Sequence, residues 1–370
     1  MVQSIVNTNK KKKIAPRYEQ IANDIRKKIK DIEPGEMLAP ERDLAEHYSV
    51  SYMTMRKAID VLAKEGFIKR YQGRGTIVNN RLSVGEIAVV VRPKLLDIHS
   101  SPYYQLASNL LIENIHATNK SWQVKLHLGK ATMRGEEFPE TLDLLAPEVL
   151  HNLRGVFTFN PLYDLSKKLE QSNVLVISMS LGDKFGKYQV GFNQADVFNL
   201  GLAHFAERGC KSIGLIGHKN YLGIDGIAYD SKVHFLEQVH TNKLETRAEW
   251  ILCQEGDRFE NNGYEMFMRL WNRPQHPDAI LITDDVLCRG VLRAILQLGI
   301  KLPDDLCLTT YANKGVEIAY HRDLTRVEYD VPRQAAVACE MMFSLIEGKP
   351  ITSQDSIIVL PGKLVVGQTT

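Results

Sequence analysis

The residues with the most legible chemistry are basic and hydroxyl-bearing, and they cluster. In ERDLAEHYSVSYMTMRKAIDVL, residues 41–62, Met55, Ala58, Ile59 and Leu62 recur at the spacing of one buried helical face. That leaves Thr54, Arg56 and Lys57 largely outside the stripe. Hydroxyl, guanidinium and ammonium groups on one exposed helix face are what contact with phosphates and base edges requires. A helical hairpin with a solvated charged face would carry the same pattern, so the neighbouring segments must decide. Twelve residues on, Arg74 lies between Gly73 and Gly75 in FIKRYQGRGTIV, whose apolar–polar alternation predicts a β-hairpin with a basic, glycine-flexible tip.

The elements needed to hold these groups are present. Leu44, Ala45, Tyr48 and Val50 face inward from a first short helix and its turn, and Pro40-Glu41 suits the start of that helix. Upstream, Tyr18, Ile21, Ile25, Ile29 and Ile32 recur at helical spacing, and Pro34-Gly35 stops that helix. Gly66 suits the C-cap after Leu62-Ala63-Lys64-Glu65. Helix, helix-turn-helix and hairpin in this order make a winged helix-turn-helix, with an apolar back and a polar front for the major groove.

The charge distribution agrees. The formal net charge of +2 hides 17 Lys/Arg against 10 Asp/Glu in residues 1–83, which leaves the remainder net acidic. A basic module on a mildly acidic body suits a polyanionic partner at one end. Residues 1–15, with Lys10 to Lys13 consecutive, read as a disordered, solvated tail. No apolar run reaches membrane-span length and no apolar signal segment follows the lysines, so we expect a cytoplasmic protein. Cys210, Cys253, Cys288, Cys307 and Cys339 are scattered and never spaced C-x-x-C, which suits reduced, mostly buried thiols and gives no metal site.

Residues 17–79 resemble the winged helix-turn-helix of the GntR family of bacterial regulators. The resemblance lies in the opening Y-x-Q-I, in L-x-P-E-R-x-L-A-x-x-Y-x-V-S, in T-x-R-K-A-I-x-x-L-x-x-E-G-x-I and in G-R-G-T-x-V. It implies DNA contacts from Arg42, from Thr54 and Arg56 on the recognition helix, and from Gly73 and Arg74 at a wing tip entering the minor groove. Ser51, Tyr52 and Lys57 complete the expected contact set. Tyr52 stands where the family usually has Arg, and a tyrosine cannot make the bidentate guanine contact that Arg makes, so the operator preference should differ.

Residues 80–84 form a short polar link, which sets the DNA-binding domain at 16–79 and a second region at 85–370. There, near-continuous apolar strands such as EIAVVV, NVLVISMS and KSIGLIGH alternate with amphipathic helices. The pattern predicts an α/β fold with parallel sheets covered on both faces, long enough for two lobes. LGLAHFAERGCKSIGLIG, PDAILITDDVLCRGVLRAILQLGIKLPDDLCLTTYAN, DLTRVEYD and LPGKLVVGQTT resemble the effector domain of LacI/GalR regulators and their periplasmic sugar-binding relatives. In the last segment Gly367 replaces the usual Arg. A GntR reader on a LacI-type sensor is the architecture of the arabinose-repressor group.

The resemblance implies a ligand between the lobes, at the carboxyl ends of the strands. The residues placed there are Ser100, Ser101, Tyr103, Tyr104, Asn160, Asn193, Asp196, Asp225, Tyr229, Arg258, Phe259, Asp284 and Asn313. Asp284 and Asp285 precede a helix that one of them should cap. Capping is the stronger reading for Asp285, while for Asp284 capping and ligand contact stand level. Tyr103 and Phe259 could pack at lobe edges, and Asn193 and Asn313 could satisfy their own loops. Without an evident Arg clamp, a neutral sugar such as a pentose or deoxyhexose is favoured over a sugar acid or phosphate, an inference that Lys219 or Arg258 could reverse.

The expected function is therefore a homodimeric, ligand-controlled DNA-binding regulator, a repressor of transcription, using no cofactor and catalysing nothing. The alternative is a sugar-binding transport or chemosensory protein. A cofactor enzyme fused to a DNA reader has little support, because G-x-x-x-x-G-K-[ST], G-x-S-x-G and H-E-x-x-H are absent from the sequence.

Overall fold

The computed structural model describes residues 16–29, 32, 35–64, 67–71, 75–78, 85–97, 100–118, 122–128, 144–150, 152–159, 164–182, 186–222, 228–256, 259–352 and 355–370. The tail 1–15, Gly66 and the link 80–84 lie outside them. Two compact units divide the chain, Met1–Gly85 and Glu86–Thr370.

The first unit runs α1 (Arg17–Lys28), β1 (Met37–Leu38), α2 (Glu41–His47), α3 (Tyr52–Lys64), β2 (Ile68–Tyr71) and β3 (Gly75–Val78). Its strands form an antiparallel sheet in the order β1-β3-β2. Ile21, Ile25 and Ile29 meet Met55, Ala58, Ile59 and Leu62 in one apolar cluster, closed from the sheet side by Phe67, Ile68 and Val78. Burying side chains of this size contributes about 1.5–3 kcal/mol each, so the stripe of α3 is its main attachment. Between α2 and α3, Ser49 takes a left-handed φ of 49°, which turns the chain tightly.

The second unit begins with a lobe of β4 (Glu86–Val91), α4 (Tyr103–Thr118), β5 (Gln123–Leu128), α5 (Pro147–Leu150), β6 (Leu153–Thr158), α6 (Asp164–Gln171), β7 (Leu175–Ser178) and β8 (Tyr188–Phe192). The chain then enters a second lobe of α7 (Asp196–Glu207), β9 (Ile213–His218), β10 (Asn220–Leu222), β11 (Ala228–Asp230), α8 (Ser231–Thr241), β12 (Ile251–Gln254), α9 (Glu260–Trp271), β13 (Ala279–Ile282), α10 (Asp285–Leu298), β14 (Cys307–Asn313) and β15 (Thr325–Tyr329). It returns to the first lobe for α11 (Val331–Ile346) and β16 (Ile357–Leu360), and ends in the second with β17 (Lys363–Val365).

Each lobe holds a six-stranded sheet, ordered β16-β8-β7-β6-β4-β5 and β12-β9-β13-β14-β15-β17. Every pairing in them is parallel except that of β17 with β15. Parallel strands need a crossover between them, and helices on both faces bury the sheet, which is why all six residues of β4 are buried. Helix α11 packs on α4 and shares the first lobe's core through Ala335, Ala338 and Met342. Three crossings therefore join the lobes, after β8, after β15 and after β16.

Candidate functional site: a DNA-reading face and an interlobe cavity

On the first unit, the apolar back of α3 turns Tyr52, Met53, Arg56 and Lys57 to solvent. Ser51 caps the helix: its Oγ accepts from the Thr54 N–H at 3.2 Å and lies 2.8 Å from Thr54 Oγ1. The hydroxyls of Ser51 and Thr54 are thus engaged in fixing the helix start. Arg42, Tyr52 and Arg56 line one open groove with Arg70, Tyr71 and Gly75 of the hairpin. Arg70 reaches back to two helices at once, pairing with Glu41 at 2.6 Å and with Asp60. The hairpin strand is thereby tied to the start of α2 and to α3. Gly75 has a φ of 93°, a backbone conformation that favours glycine at the mouth of the hairpin. Gly73 and Arg74 lie outside the described residues.

In the second unit a cavity of about 350 Å³ opens between the lobes at the carboxyl ends of the strands. Its first-lobe wall includes Ser101, Tyr103, Tyr104, Phe159 and Ser180, and its second-lobe wall includes Phe198, His218, Asn220, Tyr221, Ser231, Asp284, Asp285 and Tyr311. Tyr103 and Tyr104 both pack edge-on against Phe159, with centroids 5.9 and 5.8 Å apart. Tyr103 is anchored behind the cavity, where its hydroxyl donates to Gln334 Oε1 at 2.9 Å. Gln334 in turn donates to the carbonyls of Met179 and Val190, which fixes the ring by way of α11. Burial drives the Tyr103 and Tyr311 phenols well above their ordinary range, so both stay protonated.

The cap falls to Asp284, for which the sequence leaves capping and ligand contact level, and not to Asp285, for which it favours capping. Asp284 has extended backbone (φ −152°, ψ 133°) and its carboxylate accepts from the N–H groups of Val286 at 3.0 Å and Leu287 at 2.9 Å, so it is the cap. Asp285 is already helical and cannot cap. Its Oδ2 instead accepts from Ser101 Oγ at 2.7 Å, joining the two lobes across the cavity, and from Asn313 Nδ2 at 3.4 Å. Asn313 also accepts from Tyr311 Oη at 2.8 Å and stands behind Asp285, away from the described lining.

Other residues expected at the ligand have different places. Asp196 belongs to the hinge. Its carboxylate accepts from Asn193 Nδ2 at 2.7 Å on the first crossing and from the Gly362 N–H at 2.8 Å on the third. Tyr329, on the second, donates to the Asn193 carbonyl at 3.1 Å. Burial raises the Asp196 carboxyl, and the Gly362 bond opposes this. Tyr229 is exposed and stacks on Tyr221, which reaches the lining in its stead. Phe259 is exposed at the start of α9, and Ser100 is not part of the described lining. Asn160, Asp225 and Arg258 lie outside the described residues. Phe159, Phe198, His218, Asn220, Tyr221 and Ser231 were not legible as site residues, although strand ends before helices in an α/β chain are where such residues fall.

Residues 17–78 match the family described as bacterial regulatory proteins, gntR family, and residues 202–370 match the periplasmic binding protein-like domain. The chain joins a GntR-family helix-turn-helix domain to a periplasmic-binding-protein-like domain. It is thus a DNA-binding transcriptional regulator of GntR/LacI-like type. The arabinose metabolism transcriptional repressor of Geobacillus stearothermophilus is 21% identical to this regulator, over 97% of this chain and 99% of that protein. The NTD biosynthesis operon regulator NtdR of Bacillus subtilis (strain 168) is 24% identical over 49% of this chain, which spans 53% of that relative. Among solved structures, the lactose repressor bound to an anti-inducer matches with a TM-score of 0.60 at 20% identity, over 77% of this chain and 99% of that one. At that identity the likeness concerns the fold. Among the described residues no helix of the regulator is long and apolar enough to cross a membrane.

Proposed function

We propose that the regulator is a cytoplasmic, homodimeric repressor whose operator affinity is set by a small neutral sugar held between the lobes. The cavity carries this reading. It offers aromatic faces (Tyr104, Phe159, Phe198, Tyr221) beside hydroxyl, amide, imidazole and carboxylate groups (Ser101, Ser231, Asn220, His218, Asp285). Such a mixture stacks on C–H faces and bonds to several hydroxyls. At about 350 Å³ the site is near the small end of the ~300–1,000 Å³ typical of ligand pockets. Its described lining contains Asp284 and Asp285 and neither lysine nor arginine, which disfavours sugar acids and phosphates. A relative named for arabinose metabolism, aligned over nearly the whole chain, points to the same class.

On the DNA side, Arg42, Tyr52, Arg56 and Lys57 make the contacts, while Ser51 and Thr54 fix the start of the recognition helix. A two-fold dimer presents two such helices to a near-palindromic site. A ligand that binds one lobe arrangement more tightly shifts the population toward it, and the Ser101–Asp285 bond lies in its path.

Thermal unfolding of the purified regulator against L-arabinose, D-xylose, L-fucose, L-rhamnose and their phosphates tests the ligand class. A neutral sugar at a hundred times its Kd stabilises the fold by about 2.7 kcal/mol, and Asp285→Ala should abolish the shift. A shift with the phosphates alone would refute the neutral-sugar reading. Operator sites selected from random double-stranded DNA then serve for mobility-shift assays, and a stabilising sugar that leaves the shift unchanged would refute the switch.

A further inference from the structure

Two of the five cysteines are neighbours in space although far apart in the chain. Cys210 follows the last turn of α7, its N–H bonded to the Phe205 carbonyl at 3.0 Å, and Cys307 opens β14. Asp278 knits the two positions together. Its carbonyl accepts from the Cys307 N–H at 2.9 Å. Its carboxylate accepts from the N–H groups of Lys211 and Ser212, next along from Cys210, at 2.9 and 3.0 Å. Both side chains pack against the same apolar cluster beneath α7.

Both residues are partly exposed to solvent. Of the remaining cysteines, Cys253 is partly exposed too, and the other two are not. Cys288 and Cys339 are buried in the cores of the two lobes, and burial pushes their thiols, and that of Cys253, up to about 12. Around Cys307 the hydrogen bond from Cys210 and the nearby Arg208 both favour the thiolate and lower the group to about 7, against the opposing effects of burial and Asp278. The thiolate is the reactive species, so Cys307 is the group poised to react first.

We propose that Cys210 and Cys307 form a reversible intramolecular disulfide when the regulator meets a peroxide, a redox-modifiable site separate from both the DNA face and the interlobe cavity. The Cys307 thiolate attacks a peroxide oxygen. The O–O bond breaks, hydroxide leaves and takes up a proton as water, and Cys307 becomes a sulfenic acid. The Cys210 sulfur then attacks the Cys307 sulfur. An S–S bond forms, the S–O bond breaks, and the departing hydroxide leaves as water with the Cys210 proton. Two electrons pass from the thiols to the peroxide, and a dithiol reductant returns them. The bond would tether the end of α7 to the first residue of β14.

The full-length regulator is treated with hydrogen peroxide, its free thiols are blocked with N-ethylmaleimide on unfolding, and the digest is mapped by mass spectrometry. The expected result is one cross-linked species joining the Cys210 and Cys307 peptides, lost on adding dithiothreitol, with Cys253, Cys288 and Cys339 recovered as N-ethylmaleimide adducts. In Cys210→Ser, Cys307 should be trapped by dimedone as a sulfenic acid. Should that variant not fold, the wild-type map decides alone. Recovery of Cys210 and Cys307 as separate alkylated peptides, their pairing between two chains, or oxidation at Cys253, Cys288 or Cys339 in their place would each overturn the proposal.

Discussion

Gly290→Ala should damage the regulator far from its cavity, and the size of the effect follows from the packing of two helices. Helices α9 and α10 touch backbone to backbone through Gly263 and Gly290. A Cβ at Gly290 would stand 1.7 Å from the Glu260 carbonyl oxygen and 2.7 Å from the Tyr264 nitrogen, while one at Gly263 would stand 2.0 Å from the Leu287 carbonyl. Neither neighbour is a flexible side-chain end. Restoring ordinary contact requires the helices to part by more than an ångström, in a layer where Phe267, Leu270, Leu287, Val291 and Ile295 are fully buried. Overpacking of this kind costs ~1–3 kcal/mol or more, and parting the helices adds lost contacts. Alanine's better helix propensity returns about 1 kcal/mol. A net loss of about 3 kcal/mol corresponds to a fall in Tm of about 6–10 °C for a domain of this size. Thermal unfolding followed by circular dichroism measures it, with Gly299→Ala as a comparison. Gly299 has φ 68° and open space around its would-be Cβ, so that change should cost only ~1 kcal/mol. Because α10 begins with Asp284 and Asp285, Gly290→Ala should also weaken ligand-induced stabilisation. A Tm within 2 °C of the parent would refute the close-contact argument.

The remaining expectations are narrower. Gly367→Arg should destabilise the second unit, because any Cβ there would stand 2.3 Å from the Asp323 carbonyl oxygen; a variant with unchanged Tm would contradict this. Burial lowers the pKa of His204, which bonds Thr370 Oγ1, and of His234, so their unfolded forms bind protons more readily. Stability should therefore hold above the ordinary histidine value of 6.5 and fall as pH drops through it; His204→Gln should flatten the Tm profile between pH 5 and 7.5. Arg56→Ala should weaken operator binding and reduce the salt slope by about one, whereas Tyr52→Arg should change operator preference, both read by mobility shift across salt and sequence. Arg70→Ala, by releasing Glu41 and Asp60, should lower operator affinity without removing a groove-facing side chain of α3, and equal affinity would show that the hairpin needs no such tie.

Local pattern alone carried much of this protein. The stripe Met55, Ala58, Ile59, Leu62 fixed which face of α3 is buried, because that depends on side-chain periodicity along a single element; the two strands of the hairpin pair antiparallel as expected, although their burial does not alternate. The buried runs of β4, β7 and β9 announced parallel sheets for the same reason. Tertiary structure decided what periodicity cannot encode. Whether Asp284 or Asp285 caps α10 depends on one residue's backbone angles, and the outcome turned the second carboxylate toward Ser101, 184 positions away in the chain. Asp196 has the chemistry of a ligand group, yet three crossings converge on it and Tyr329, and its carboxylate faces the hinge. The cavity's aromatic wall and the Cys210–Cys307 pair arise likewise from sheet order, since parallel crossovers bring together residues that sequence spacing leaves unrelated.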